Sequence, residues 1–221
     1  FVDAFLLGEG EDILPCFLRL VGGWRGRIPL EQVRERLKVF GGANDRKNLY
    51  AKPPLGVKTD FIPDNLTSLS RQEFLLLCAR VLPGCYVPSL YDVSYREDGV
   101  IAAIKPKHAG VPSRIFKNAV ANLNDTFYPV KPILPYIETV HDRVTIEIMR
   151  GCTEGCRYCQ AGMIDRPQRY RTPATVQKLA REIVKNTGYE EIALLSLSSS
   201  DHPQLKNMMG LLADEFQQDR I

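Results

Sequence analysis

Two short apolar runs joined through an amphipathic stretch, between Val144 and Leu197, constrain the fold more than any other feature of this chain. Val144–Met149 alternates at strand spacing, with Val144, Ile146 and Ile148 on one face and Thr145, Glu147 and Met149 on the other. Thr172 is a predicted N-cap with Pro173 at the first helical position. Val176, Leu179, Ala180, Ile183 and Val184 follow at helical spacing, and Gly188 closes the helix. Glu191–Leu197 reads as a second strand, residues 198–203 as a loop, and Leu205 to about Gln217 as a second helix. Strands linked through a helix lie parallel, so the pattern predicts an α/β layer. In such layers the chemistry sits on loops at the carboxyl ends of the strands.

The upstream sequence is less regular. Phe1–Leu7 reads as an apolar strand of the kind found inside a sheet, Gly8–Glu11 as a turn, and Ile13–Val21 as an amphipathic helix followed by Gly22-Gly23. Leu30–Phe40 is a second predicted helix, with Val33, Leu37 and Phe40 on one face and Gly41-Gly42 as its stop. Residues 43–68 read as loop. Ser70 and Glu73 form a capping box for a helix reaching Leu82, halted by Pro83-Gly84. Residues 86–105 predict a hairpin turning at Glu97-Asp98-Gly99, and the five prolines of 106–139 predict a semi-rigid linker. The opening without Met and the stop after two βα units, too few for a closed barrel, lead us to expect a fragment.

Net charge is +3, too small a basic excess to declare a nucleic-acid partner. No apolar run approaches the roughly 18 residues of a membrane span, and no basic n-region of a signal peptide opens the chain. Six cysteines in 221 residues are too few for a disulfide-built secreted scaffold, and their clustering points to metal binding in a reducing compartment, which we read as the cytoplasm.

Cys152, Cys156 and Cys159 lie within eight positions, in the string RGCTEGCRYCQAG, on the loop after the first strand. Closed structural zinc sites take four ligands and a disulfide takes two, so three thiols raise a specific question. They can hold a four-iron cluster with one iron left open, or a zinc ion completed by a remote Cys or His such as His202. Gly151 and Gly155 supply backbone freedom for the sulfurs to converge. Arg150 and Arg157 lie where they can offset a cluster's negative charge.

The C-x3-C-x2-C spacing, with Tyr158 before the third cysteine and a strand before the loop, resembles the signature of the radical S-adenosylmethionine (radical SAM) superfamily. The resemblance implies a partial (βα)6 barrel whose Cys152, Cys156 and Cys159 carry a 4Fe–4S cluster. It implies SAM chelated at the open iron, a reducing electron donor, and a 5′-deoxyadenosyl radical that abstracts hydrogen from a substrate. HDRVTIEIMRGCTEGCRYCQAGMIDRP and NTGYEEIALLSLSSSDH resemble an uncharacterised bacterial family that fuses a cobalamin-binding-like domain, a radical SAM core and a C-terminal associated domain. On that likeness residues 1–22, with DAFLLGEGED, are the tail of a Rossmann-like, cobalamin-binding-like domain. Residues 23–139, with YVPSLYDV, are the inter-domain region, and residues 140–221 are the N-terminal part of the radical SAM core.

Two departures from the pattern stand out. Where most of the superfamily carries Gly-Gly-Glu after the second strand, this chain has Ser198-Ser199-Ser200-Asp201, so SAM contacts there would use backbone and serine hydroxyls. No Asp-x-His-x-x-Gly motif is present, so the residues give cobalamin no support. The more distant similarity is to methylthiotransferases, which would require a second iron–sulfur cluster that the scattered Cys16, Cys78 and Cys85 do not suggest. Those three read as buried structural thiols.

Other candidates have two readings each. Tyr158 either packs on the adenine side of SAM or fills local core. Glu147 either points into the barrel or makes a structural ion pair. Arg166, Arg169 and Arg171, with Tyr170 between, are either a phosphate- or RNA-binding group or a solvated surface, the latter slightly favoured. His108, His141 and His202 are isolated. The functional expectation is a radical SAM enzyme acting on a macromolecule such as RNA or a ribosome-associated protein. The competing expectation is a non-catalytic zinc or iron–sulfur scaffold in an RNA- or ribosome-associated complex.

Overall fold

A computed structural model describes residues 2–42, 61–137 and 140–217. The chain divides into two compact units, Phe1–Val120 and Ala121–Ile221, a boundary that falls inside the stretch read as inter-domain. The expected loop over 43–68 lies mostly outside the described residues.

In the first unit β1 (Phe5–Leu6) leads to α1 (Gly10–Trp24), α2 (Leu30–Gly42) and α3 (Arg71–Val81). α1 buries Ile13, Cys16, Leu20 and Gly23 at three- and four-residue spacing, the stripe that a helix needs to join a core. Val33 and Leu37 of α2 and Phe74, Leu77 and Cys78 of α3 complete that core. The helix runs past Val21, its expected end: Gly22 and Gly23 are both helical, and Gly23 lies so close to Val33 and Leu66 that a Cβ would come within 2.9 Å of each. The turn instead closes on the carbonyl of Gly22, which accepts from the amides of Arg27 and Ile28 at 2.8 and 3.2 Å. Trp24 stacks on Phe74 with ring centroids 4.4 Å apart, and its Nε1 donates to Leu69 O at 2.8 Å.

The capping box forms as expected. Glu73 N donates to Ser70 Oγ and Ser70 N to Glu73 Oε2, which fixes the start of α3. The hairpin also forms, pairing β3 (Tyr91–Tyr95) with β4 (Ile101–Pro106) and leaving Val93, Tyr95, Ile101 and Ile104 exposed.

The expected inner strand Phe1–Leu7 is corrected. Only Phe5–Leu6 pairs, antiparallel to β2 (Cys85–Tyr86), and Val2, Phe5 and Leu7 are exposed. Beyond Leu6 the backbone turns to other partners. Leu7 N donates to Gly84 O at 2.8 Å, Asn118 N to Leu7 O at 2.8 Å, and Glu9 N to Asn118 O at 3.0 Å. Asn118 Nδ2 also donates to Pro83 O at 2.9 Å, so one side chain bridges both strands' ends. Gly8 crosses this junction at φ +97°, and a Cβ there would lie 2.1 Å from the Asn118 carbonyl oxygen.

The second unit contains β5 (Val144–Glu147), β6 (Met149–Arg150), α4 (Gln160–Ile164), β7 (Arg169–Tyr170), α5 (Pro173–Thr187), β8 (Ile192–Leu195) and α6 (Leu205–Phe216). β5 and β8 are parallel in the register Val144↔Ile192 to Glu147↔Leu195, with α5 as the crossover. Thr172 Oγ1 accepts from Thr175 N at 3.3 Å and Gly188 ends α5 at φ +73°, the start and stop signals read from the sequence. Val144, Ile146 and Ile148 pack with Val176, Ala180 and Ile183 of α5 and with Met208 and Phe216 of α6. Each buried aliphatic side chain contributes roughly 1.5–3 kcal/mol, so this one-sided core outweighs the caps at roughly 1 kcal/mol each. The single strand expected over 144–149 is broken at Ile148, because β6 leaves β8 and pairs antiparallel with β7. Among the described residues no helix is long and apolar enough to cross a membrane.

Gly8→Ala tests the junction. A left-handed backbone costs a non-glycine residue about 1–2 kcal/mol, and the backbone clash adds to it. Denaturant unfolding followed by Trp24 fluorescence should show a loss of about 2 kcal/mol or more. An unchanged midpoint would mean that residues 7–9 do not run against Asn118.

Candidate metal centre

The short β6–β7 ladder is a clip at the base of the cysteine loop. Met149 pairs with Tyr170 and Arg150 with Arg169, so residues 151–168 leave and re-enter the fold at one place. That place is the carboxyl end of β5, where Ile148 N still donates to Leu195 O at 2.9 Å. Gly151 takes φ +83° directly against the returning chain. An added Cβ would stand 2.6 Å from Asp165 O and 2.7 Å from Pro167 O, so only glycine fits where the loop departs. Cys159 caps the short α4, its Sγ accepting from Gly162 N at 3.3 Å. Arg166 Nε donates to Gly162 O at 3.1 Å and Arg169 Nε to Pro167 O at 2.9 Å, which stitches the returning limb to itself.

All six cysteines are free thiols, and they fall into two classes. Cys16, Cys78 and Cys85 are buried, as expected. Desolvation pushes the Cys16 thiol up to about 11 and Cys85 to about 12, and it raises Cys78 with a smaller contribution from the neighbouring Cys85. Cys156 is exposed, and Cys152 and Cys159 are half-buried. Among the described residues no group of three or more His, Cys, Asp or Glu is gathered tightly enough to hold a metal ion. The loop thiols therefore share a loop without converging. Their chemistry fits a thiolate-bound centre nonetheless: three reachable sulfurs on one clipped loop, one already accepting a backbone N–H.

Around the loop the structure settles several alternatives. Glu147 makes the ion pair, receiving Arg150 Nε at 2.8 Å and Nη2 at 2.9 Å, with Arg171 Nη2 at 3.9 Å. Tyr158 is 91% exposed, which excludes the local-core reading. Arg169 and Arg171 are buried, so the solvated-surface reading fails for both, whereas Arg166 is exposed. Arg171 reaches inward: Nε donates to Glu147 O at 2.9 Å, Nη1 to Leu123 O and Nη2 to Thr126 Oγ1 at 3.0 Å. Its guanidinium lies 5.0 Å from the ring centroid of Tyr128, whose hydroxyl donates to Thr145 O at 2.8 Å and accepts from Glu147 N. Local pattern gave no sign of this set, because Leu123 and Thr126 lie 48 and 45 residues away in sequence.

Ser198, Ser199 and Ser200 follow β8, at the same carboxyl edge as the cysteine loop, and Ser199–Asp201 forms a 3₁₀ turn. Ser199 Oγ lies 2.9 Å from Ser196 Oγ, and Ser198 N donates to Ser196 Oγ at 3.2 Å. His202 is buried with both ring nitrogens engaged, Nδ1 accepting from Gln204 N at 3.1 Å and Nε2 meeting Arg171 O at 3.1 Å. It has no lone pair to offer a zinc ion.

The two thiol classes should separate by alkylation. Iodoacetamide at pH 8 should label Cys152, Cys156 and Cys159 in the native chain, and the other three only in denaturant, as read by peptide mass spectrometry. A raised folded value means that the fold holds the proton more tightly than the unfolded chain does. The stabilising contribution of Cys16 and Cys85 is therefore intact below the ordinary thiol value of 9.0 and is lost as pH climbs through about 11 and about 12. Native labelling of Cys78 at pH 8 would contradict the packing of α3.

An uncharacterized protein of Methanocaldococcus jannaschii is 35% identical over 69 residues, covering 31% of this chain and 16% of that protein's length. No solved structure gives a significant match. The family model of the radical SAM superfamily matches residues 146–218, and this match, which includes the three loop cysteines and both βα units, supports placing that segment in the radical SAM superfamily.

Proposed function

We propose that the chain is part of a radical SAM enzyme in which Cys152, Cys156 and Cys159 hold a 4Fe–4S cluster. The observation that carries this reading is the set of three reachable thiols on a clipped loop at the carboxyl end of a parallel strand, inside the matched segment. When bound, the cluster supplies the electron that splits SAM and releases a 5′-deoxyadenosyl radical for hydrogen abstraction. The chain's own contribution is to hold and to orient. Cys159 is presented from the N-terminus of α4, and Gly162 N–H offsets charge on its sulfur. Tyr158 offers an exposed aromatic face to the adenine side of SAM. The hydroxyls and backbone of Ser198, Ser199 and Ser200 take the place of the Gly-Gly-Glu contacts to its amine. Glu147 stays with Arg150 as a structural pair beside the loop.

The substrate under this reading is a macromolecule, RNA or a ribosome-associated protein, and a cytoplasmic electron donor supplies the reducing equivalent. The assignments of residues 1–22 to a cobalamin-binding-like tail, 23–139 to an inter-domain region and 140–221 to the start of a partial (βα)6 barrel belong to the same proposal. They rest on the sequence resemblance. Cobalamin itself has no supporting residue in the chain.

Anaerobic reconstitution with iron and sulfide, then EPR of the reduced protein, tests the proposal. The expected result is about four irons per chain and a signal that shifts on adding SAM. Both should vanish in a variant carrying Cys152→Ala, Cys156→Ala and Cys159→Ala. Stoichiometric zinc with no SAM-responsive signal would overturn the enzyme reading in favour of a scaffold.

A further inference from the structure

We infer that His202 is a positioning residue that locks the Ser198–Asp201 loop to the base of the cysteine loop, and so sets the affinity for SAM. The SAM part of this inference rests on the function proposed above; the lock itself rests on geometry. Gln204 N can only donate, so the ring nitrogen it meets at 3.1 Å, Nδ1, is the acceptor. Nε2 therefore carries the hydrogen and donates to the carbonyl of Arg171 at 3.1 Å. Arg171 is the residue at which the cysteine loop's returning limb enters α5, and its own amide donates to Ile148 O at 2.8 Å. The ring also stands edge-on to Tyr170 of the β6–β7 clip, with centroids 5.2 Å apart and planes at 85°.

A chain of direct contacts thus runs from the end of β5, through the Arg171 backbone and the His202 ring, to the loop after β8. The 3₁₀ turn that carries the serines closes on this residue, because His202 N donates to Ser199 O at 3.2 Å and Asp201 N to Ser198 O at 3.1 Å. One imidazole, 3% exposed, ties the serine loop to the strand end from which the cysteine loop departs. The ring nitrogens of this histidine are both committed to holding two loops in register.

His202→Phe keeps the ring and its edge contact to Tyr170 but removes both hydrogen bonds. His202→Gln restores a donor to the Arg171 carbonyl. Backbone hydrogen exchange, which needs no cofactor, should be faster by about tenfold or more at Asp201 and at position 202 in the Phe variant, with α5 unchanged. On the reconstituted protein, iron content should hold, SAM affinity read from the EPR shift should fall about tenfold, and Gln should recover most of the loss. Unchanged exchange in the serine loop, acceleration spread through α5, or full SAM affinity in a Phe variant of normal iron content would each overturn the inference. A wild-type cluster indifferent to SAM would instead overturn the functional reading, and the exchange comparison would still decide whether His202 orders the loop.

Discussion

Burying a guanidinium costs several kcal/mol unless its N–H groups find acceptors, and the second unit is arranged around meeting that condition for Arg171. Only 1% of its side chain is exposed, and each of its three nitrogens has a partner, one at the end of β5 and two on the segment around Leu123 and Thr126. The acceptors are two carbonyls and a hydroxyl: Glu147 O at the end of β5, Leu123 O, and Thr126 Oγ1. Segment 123–128 has little regular structure beyond one 3₁₀ turn, so the arginine gives it a fixed place against the strand. Its backbone completes the arrangement, with the amide on Ile148 and the carbonyl on His202.

The same charge explains the neighbourhood of Glu147. A carboxylate held by a forked contact from Arg150, with Arg171 behind it, is balanced within the protein. It is therefore an anchor at the strand end. The three cysteines of the neighbouring loop differ from the first unit's thiols in exposure: Cys156 is exposed and Cys152 and Cys159 are half-buried. Cys16, Cys78 and Cys85 are kept protonated by desolvation, and burial removes them from solvent. One chain thus carries cysteine both as a small core hydrophobe and as an accessible loop side chain.

Much of this could be read before any coordinates. The caps of α3 and α5, the hairpin and the parallel β5–β8 pair follow from local signals: Ser70 with Glu73, Thr172 with Pro173, the Asp98-Gly99 turn, and alternating apolar residues. Most of the failures have a physical cause in common, which is partners distant in sequence. The inner-strand reading of Phe1–Leu7 failed because Leu7 bonds to Gly84 and Asn118. The helix read as ending at Val21 runs on to Trp24, and glycine stands at position 23 because Val33 of α2 and Leu66 approach too closely for a side chain. The surface reading of Arg171 failed because charge alone cannot tell an exposed guanidinium from one with an acceptor 48 residues earlier in the chain, and that of Arg169 because its guanidinium folds back onto the Pro167 and Asp165 carbonyls of its own loop. At the site, the cysteine spacing and its place after a strand were legible, whereas the clip, the His202 contact and the separation of the thiols were not.

The β6–β7 clip also changes what assembling a metal centre would cost. Bringing the ends of a flexible loop of this size together costs roughly 2–3 kcal/mol of chain entropy. Here two backbone pairings and the packing of Gly151 against Asp165 and Pro167 have already joined those ends. An incoming ion or cluster would therefore have to order only the crown of the loop, where Cys156 is exposed, while its root stays as the β-ladder set it. With the root of the loop already fixed, capture of a ligand there would be a local rearrangement separated from the folding of the unit beneath it.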